Sequence, residues 1–135
     1  MLMASCLAHP PGSGMCPVNS SSSGTSTGSL WQKGSLYGKP FGRFVSTASQ
    51  GGGQEVTISS GLSNFVHHGM IFVPVGSTYG PALFDVETLR GGSAWGAGTY
   101  AGATGARMPT ALELDVAEHQ GREFAKVAKR LKVTS

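Results

Sequence analysis

A glycine-rich loop is the first candidate for a binding site in this sequence. The segment Phe41-Gly-Arg-Phe-Val-Ser-Thr47 is rich in β-forming residues and is followed by Ala48-Ser-Gln-Gly-Gly-Gly53. In open α/β sheets, ligands bind beyond the C-terminal ends of the strands, where such loops present backbone N–H groups. The loop fits neither the P-loop pattern nor the dinucleotide fingerprint of glycines. On spacing alone a simple turn is the commoner outcome, and a cofactor-binding loop is the alternative.

A pair of histidines, His67 and His68, ends the next predicted helix. Adjacent side chains point in different directions from a helix, and the i, i+4 spacing of zinc motifs is missing. By residue type alone, a histidine that interacts with the C-terminal end of the helix dipole is favoured. We predict neither a metal site nor a catalytic triad here, because Ser46 and Ser49 are not part of a nucleophile elbow.

Trp31 precedes the predicted strand, together with Tyr37. Aromatic rings near a cleft stack on planar ligands such as quinones or flavins. The commoner role of such residues is to anchor a hydrophobic core. Both interpretations stay open on residue type alone.

The elements that must position these residues alternate between strand and helix. Residues 41–47 predict a strand, residues 54–68 a helix weakened by Gly61, and residues 70–75 a strand buried on both faces. Pro74 places that second strand near its end or at a sheet edge. This alternation predicts an α/β fold with a parallel sheet and packed helices.

The last helix is the most clearly marked element. Thr110 and Glu113 have the spacing of a capping box, and basic residues gather near the other end, where the helix dipole favours them. Three- and four-residue spacing predicts a buried face made of Leu114, Ala117, Gly121, Phe124, Ala128 and Leu131. Residues 76–109, rich in Gly, Ser and Thr with aromatic residues among them, predict an ordered surface feature.

Composition separates residues 1–28 from residues 29–135. Residues 1–32 contain no Asp, Glu, Lys or Arg, and Ser20 to Ser23 is an unbroken serine run, so we expect residues 1–28 to form a disordered tail. A net charge of +3 is too small to indicate a nucleic-acid partner. No segment reaches the roughly 18 consecutive apolar residues of a membrane span. We expect a cytoplasmic protein with no integral membrane segment.

Several short motifs occur along the chain in an order that is typical of one family. They are Leu30-Trp31, Gly34-Ser-Leu-Tyr-Gly-Lys39, Phe44-Val-Ser-Thr47, Gly51-Gly-Gly-Gln-Glu55, His67-His-Gly-Met-Ile-Phe-Val-Pro74, Leu83-Phe-Asp85, Arg90-Gly-Gly-Ser93 and Gly96-Ala-Gly-Thr-Tyr-Ala-Gly102. Over roughly residues 28–132 the chain resembles the WrbA family of NAD(P)H:quinone oxidoreductases, particularly its plant and algal type.

The resemblance implies a flavodoxin-like fold that binds FMN noncovalently, usually in a homotetramer. Hydride passes from NAD(P)H to the flavin, and two electrons then pass to a quinone. By this resemblance residues 76–109 help to build the tetramer, Trp31 lines the pocket for nicotinamide or quinone, and Ala48 stands where the family usually has glycine. The FMN site implied by the resemblance consists of Ser46, Thr47, Ala48, Ser49, Gln50, Gly51, Gly52 and His67.

The resemblance also indicates what the chain lacks. Family members begin with a strand and a Ser/Thr-rich loop that binds the FMN phosphate, and a later loop carries a Thr-Arg-Phe-Gly motif. Residues 1–28 contain neither, so we expect an incomplete sheet without the N-terminal strands and phosphate loop, from a truncated or misread product. An enzyme is the leading interpretation, and an inactive truncated subunit that associates with full-length homologues is the alternative. Because quinones are lipid-soluble, peripheral membrane association is an alternative to a purely cytoplasmic location.

Overall fold

The computed structural model describes residues 2–6 and 27–133, with side chains over residues 27–131. In chain order the elements are β1 (Leu2–Cys6), α1 (Gly28–Gln32), β2 (Pro40–Thr47), α2 (Gln54–Ser60), α3 (Leu62–His67), β3 (Ile71–Phe72), a 3-10 turn (Pro81–Phe84), β4 (Gly98–Tyr100) and α4 (Ala111–Val133). All the strand pairings among these elements are parallel. The predicted α/β class with flanking helices is confirmed, and the arrangement is consistent with part of a flavodoxin-like fold.

β2 is the central strand of the sheet. β1 pairs along one edge of β2, from Phe41 to Val45. β3 pairs with the start of β2, and β4 pairs with its last three residues, from Val45 to Thr47. Because β1 occupies one edge, β3 and β4 lie end to end along the other. Residues 73–97, the intervening segment, leave the sheet after β3 and return at β4.

β1 lies inside the segment for which the composition predicts a disordered tail. Its five residues form a strand instead, and they supply backbone partners that an open edge of β2 would lack. Residues 7–26, the greater part of the predicted tail, lie outside the described residues, as do residue 1 and residues 134–135.

A buried arginine breaks the predicted helix over residues 54–68 into α2 and α3. Arg43 is 6% exposed, and its Nη1 donates to the carbonyl oxygen of Ile58 at 3.2 Å. A Cβ atom on Gly61 would overlap this guanidinium. Glycine at the junction of α2 and α3 is therefore required by the side chain that packs beneath it.

The second predicted strand is shorter than expected and is not buried on both faces. The side chain of Ile71 is 41% exposed, whereas those of Met70 and Val75 are buried. The N–H of Val73 still donates to the carbonyl oxygen of Phe41 at 2.9 Å. Pro74, which has no N–H to donate, then ends the pairing. β3 is an edge strand, so solvent reaches one of its sides.

The predicted capping box opens α4. The N–H of Thr110 donates to Oε2 of Glu113 at 2.8 Å, and the N–H of Glu113 donates to Oγ1 of Thr110 at 3.2 Å. These two bonds satisfy N–H groups that the first turn of a helix leaves free. No helix in the described part of the chain has the length and apolar character needed to cross a membrane.

The buried face of α4 agrees with the predicted one at Phe124 and departs from it at Leu114 and Ala117. Leu114 is 57% exposed, and Ala117 is also exposed. The residues of α4 that are buried are Glu113, Val116, Gln120 and Phe124. Two of these four are polar, so a hydrophobic pattern detects the face that packs against the sheet only in part.

Candidate functional site

The glycine-rich loop, residues 46–52, lies at the C-terminal end of β2 and leads into α2. Residues 48–52 are exposed. The N–H of Gly52 donates to the carbonyl oxygen of Ser49 at 3.1 Å, and a Cβ atom on Gly52 would lie 2.8 Å from the same oxygen. Gly51 has a φ of +71°, a conformation that favours glycine. The glycines therefore permit a tight turn with exposed backbone.

Ala48, which replaces the glycine usual in the resembling family, fits the loop without strain. Every positive φ angle in the described part of the chain belongs to a glycine, so Ala48 has an ordinary backbone conformation. Its carbonyl oxygen accepts from the N–H of Gly102 at 2.9 Å, next to a bond from Ala101 N–H to Thr47 O at 2.8 Å. The chain that follows β4 thus holds the base of the loop.

Gln54, a residue that the sequence analysis missed as a site residue, holds the loop from the other side. Its Nε2 donates to Oγ1 of Thr47 at 3.0 Å and to the carbonyl oxygen of Thr99 at 2.9 Å. Its Oε1 accepts from the N–H of Gly92 at 2.7 Å. The only feature of the sequence that could have indicated this role is a glutamine directly after the glycines, at the first position of a predicted helix.

His67 lies at the opposite end of β2 from the loop. The residues shortly after it bond to the chain just before β2: Gly38 N–H donates to Gly69 O at 2.9 Å, and Ile71 N–H donates to Lys39 O at 3.0 Å. The eight residues of β2 span roughly 23 Å at about 3.3 Å per residue. Within one chain the structure therefore does not bring His67 to residues 46–52.

Trp31 belongs to the same end of the sheet as His67. It lies on α1, which leads into the start of β2, and it is 58% exposed. Nε2 of His68, next to His67, lies 3.2 Å from Oγ1 of Thr27 at the start of α1. This contact joins the end of α3 to α1 and leaves His67 and Trp31 on the surface.

A buried carboxylate, Glu113, organises the region behind the loop. Its side chain is 1% exposed and forms an ion pair with Arg107 at 3.1 Å. It also accepts from Gly91 N–H, Thr99 Oγ1 and Thr110 N–H, each at 2.8 Å. Burial raises the pKa of Glu113, but Arg107 and the other donors outweigh it, and the net pKa is lowered. This carboxylate joins the intervening segment, β4 and α4.

Gln120 fills the gap between β3 and β4. Its Nε2 donates to the carbonyl oxygen of Arg43 at 2.8 Å, and its Oε1 accepts from the N–H of Ala97 at 2.9 Å. The side chain is buried. Its amide therefore stands between two backbone groups, one on β2 and one just before β4, at the place where the edge strand is interrupted.

Several known proteins similar to this chain are quinone oxidoreductases or dehydrogenases by name. Over 110 residues the chain is 51% identical to Quinone-oxidoreductase QR2 of Triphysaria versicolor, covering 82% of this chain and 54% of that protein. Over 106 residues it is 55% identical to Probable NAD(P)H dehydrogenase (quinone) FQR1-like 2 of Arabidopsis thaliana, covering 78% of this chain and 38% of that protein.

A fungal relative gives the same result. Over 106 residues the chain is 51% identical to NAD(P)H quinone oxidoreductase YCP4 of Candida albicans, covering 78% of this chain and 37% of that protein. No protein-family model matches the chain. The chain spans about half the length, or less, of the curated relatives it matches, and the three relatives described above are named as quinone oxidoreductases or dehydrogenases.

Proposed function

We propose that this chain carries part of the active site of an FMN-dependent NAD(P)H:quinone oxidoreductase of the WrbA type. The observation that carries the proposal is the exposed loop at the end of β2 within a segment that resembles named quinone reductases. Any 110-residue stretch of a 135-residue chain includes residues 46–52, so the region aligned with the Triphysaria versicolor protein contains the loop.

The loop suits one edge of a flavin. Residues 48–52 are exposed beyond the C-terminal end of a parallel strand, the position at which open α/β sheets bind ligands. Residues 46–52 would hold the flavin ring, and their backbone groups would orient it. When bound, FMN supplies the group that takes two electrons from NAD(P)H and passes them to a quinone. The contribution of the protein is to bind and orient the reactants.

His67 and Trp31 suit the same site only if a second copy of the chain supplies them. Both lie at the end of β2 opposite to the loop and are exposed. We therefore propose a homo-oligomer, a tetramer as the resemblance implies, in which His67 and Trp31 of one copy approach the loop of another. The proposed location is the cytoplasm, with peripheral membrane association as the route to lipid-soluble quinones.

The test is a titration of the purified chain with FMN, followed by flavin fluorescence, and then NADH- and NADPH-dependent reduction of a soluble quinone. We expect saturable, stoichiometric binding. Gly52→Ala should weaken FMN binding by at least about tenfold, because its Cβ would lie 2.8 Å from Ser49 O and force the turn to move. Gly121→Ala is the control, because a Cβ there meets nothing within 4 Å. A folded chain that does not bind FMN would refute the proposal.

A second candidate function is that of a non-catalytic subunit. The chain spans 54% or less of the length of the relatives described above, and its surface presents His67 and Trp31. Such a chain would join longer homologues and have no flavin of its own. Purification from the native source distinguishes the two: bound flavin without a longer homologue favours the enzyme, and a flavin-free chain together with a longer homologue favours the subunit.

A further inference from the structure

We infer that Gln54 is a positioning residue that fixes the conformation of residues 46–52 and ties the loop to the intervening segment. The inference deepens the proposed function and rests on it, because it concerns the loop assigned to FMN. Gln54 itself is the first residue of α2 and lies outside the loop.

The contacts of Gln54 define the orientation of its amide. Nε2 lies next to two acceptors, Thr47 Oγ1 and Thr99 O, and Oε1 lies next to a donor, Gly92 N–H. Rotating the amide by 180° would place Oε1 against the carbonyl oxygen of Thr99 and Nε2 against the N–H of Gly92, so these two contacts fix the orientation. Three different elements therefore depend on one side chain in one orientation.

The chain of bonds continues from Gln54 into the loop. Thr47 Oγ1 accepts from Gln54 and donates its own proton to Ser49 O at 3.1 Å. Ser49 O is also the acceptor for Gly52 N–H at 3.1 Å. The tight turn of the loop is thus held at Ser49 O by a hydroxyl whose direction Gln54 sets.

On its other side Gln54 is anchored by the intervening segment. Gly92 N–H donates to Oε1 of Gln54, and the preceding N–H, that of Gly91, donates to the buried carboxylate of Glu113. A Cβ atom on Gly98 would lie 2.8 Å from Oε1 of Gln54, so β4 leaves room for this amide. A displacement of residues 91–92 would therefore be transmitted to Ser49 through the side chains of Gln54 and Thr47.

The first experiment measures amide hydrogen exchange in the full chain without FMN. Gln54→Glu keeps the size of the side chain and an acceptor for Gly92 N–H but loses both donated hydrogen bonds. We expect exchange of the Gly52 amide, which donates to Ser49 O, to accelerate by about tenfold, the effect of weakening one or two hydrogen bonds. Glu55→Gln, the reverse change at the exposed neighbouring position, is the matched control and should leave exchange in the loop unchanged.

The second experiment measures the FMN dissociation constant for Thr47 variants. Thr47→Val removes the hydroxyl at nearly constant volume and should raise the constant by about tenfold, whereas Thr47→Ser keeps the hydroxyl and should restore tight binding. Combining Thr47→Val with Gln54→Glu should add little to either single change, because both break the same chain of bonds.

The two readouts separate this inference from the proposed function. If the wild-type chain does not bind FMN but Gln54→Glu accelerates exchange in the loop, the function fails and the positioning role stands. If wild-type FMN binding is tight and Gln54→Glu changes neither exchange nor affinity by more than about twofold, the positioning role is overturned. If Gln54→Glu does not fold, Thr47→Val against Thr47→Ser decides the question, and equal affinity in those two variants would overturn the inference.

Discussion

Glu113 shows how much one residue can organise in a small domain. Its carboxylate receives hydrogen bonds from the intervening segment, from β4 and from the residue that caps α4. The capping-box spacing predicts the last of these bonds, because Thr110 and Glu113 are close in sequence. The bonds from Gly91 and Thr99 depend on how distant segments meet, and no local pattern indicates them.

Glu113 should make the stability of the chain depend on pH. Because its folded pKa lies below the ordinary value of 4.5, its ionised form stabilises the folded chain fully above that pH. This contribution is lost as pH falls through the lower, folded pKa. We expect the free energy of unfolding, measured by chemical denaturation, to decline below about pH 4.5.

Glu113→Gln should remove part of this decline and lower stability at pH 7 by about 2–3 kcal/mol, because Arg107 loses its charge partner. Glu118→Gln is the control, since the ion pair of Glu118 with Arg122 is exposed and such pairs contribute little. Equal pH profiles for wild type and Glu113→Gln would contradict the assignment.

We expect the buried charge of Arg43 to destabilise the folded chain. Burial lowers the pKa of this guanidinium, its Nε has no hydrogen-bond partner, and within residues 27–131 no carboxylate forms an ion pair with it. Arg43→Met keeps the length of the side chain and removes the buried charge. We expect the free energy of unfolding to rise by about 1–2 kcal/mol. Arg122→Met, at an exposed position, is the control and should change the free energy of unfolding by less than about 0.5 kcal/mol. A loss of stability in Arg43→Met would show that the hydrogen bond to Ile58 O contributes more than the burial of the charge costs.

At the scale of elements, the interrupted edge strand explains which predictions succeed. α4 is long and strongly patterned, and β2 is rich in β-forming residues; both are found where the sequence predicts them. β3 and β4 are short because the chain leaves the sheet between them, and their pairing is fixed by β2. Hydrophobic periodicity places Phe124 correctly on the buried face of α4 but wrongly includes Leu114 and Ala117. It misses Gln120, which closes the gap, because that residue is polar.

Gln120 should be essential to this arrangement. Gln120→Leu would leave Arg43 O and Ala97 N–H without their present partner in a buried place, and each such group costs about 1–3 kcal/mol. We expect chemical denaturation to show a loss of about 2–4 kcal/mol. Ala117→Leu, at an exposed position of the same helix, should have almost no effect. A Gln120→Leu chain as stable as wild type would mean that the hydrogen bonds of Gln120 to Arg43 O and Ala97 N–H do not stabilise the sheet.

At the scale of the whole molecule, the candidate site residues divide between the two ends of the sheet. The loop of residues 46–52 could be predicted from its glycines and its place after a strand. The separation of His67 from that loop could not, because it follows from the direction in which α2 and α3 return along β2. Residue identity indicates what a side chain can do, whereas topology decides which partners it can reach.

This separation predicts complementation between defective copies. A chain with His67→Ala keeps an intact loop, and a chain with Gly52→Ala keeps an intact His67. If the site forms between copies, mixing the two impaired proteins at a limiting FMN concentration should give fully competent sites, with an intact loop and an intact His67, at roughly a quarter of the sites when subunits mix at random. Each variant mixed with itself is the control. Activity that stays at the level of the separate variants would indicate that each site uses residues of a single chain.

The intervening segment is held at both of its ends, so its tip should tolerate insertions. β3 and β4 hold its ends against β2, and Gln120 closes the space between them, whereas Val86 near the tip is 89% exposed. Doubling the length of such a loop costs only about 0.6 kcal/mol of closure entropy. Evolution or an engineer can therefore lengthen this tip, or graft a foreign peptide onto it, while the sheet and the glycine-rich loop behind it keep their geometry.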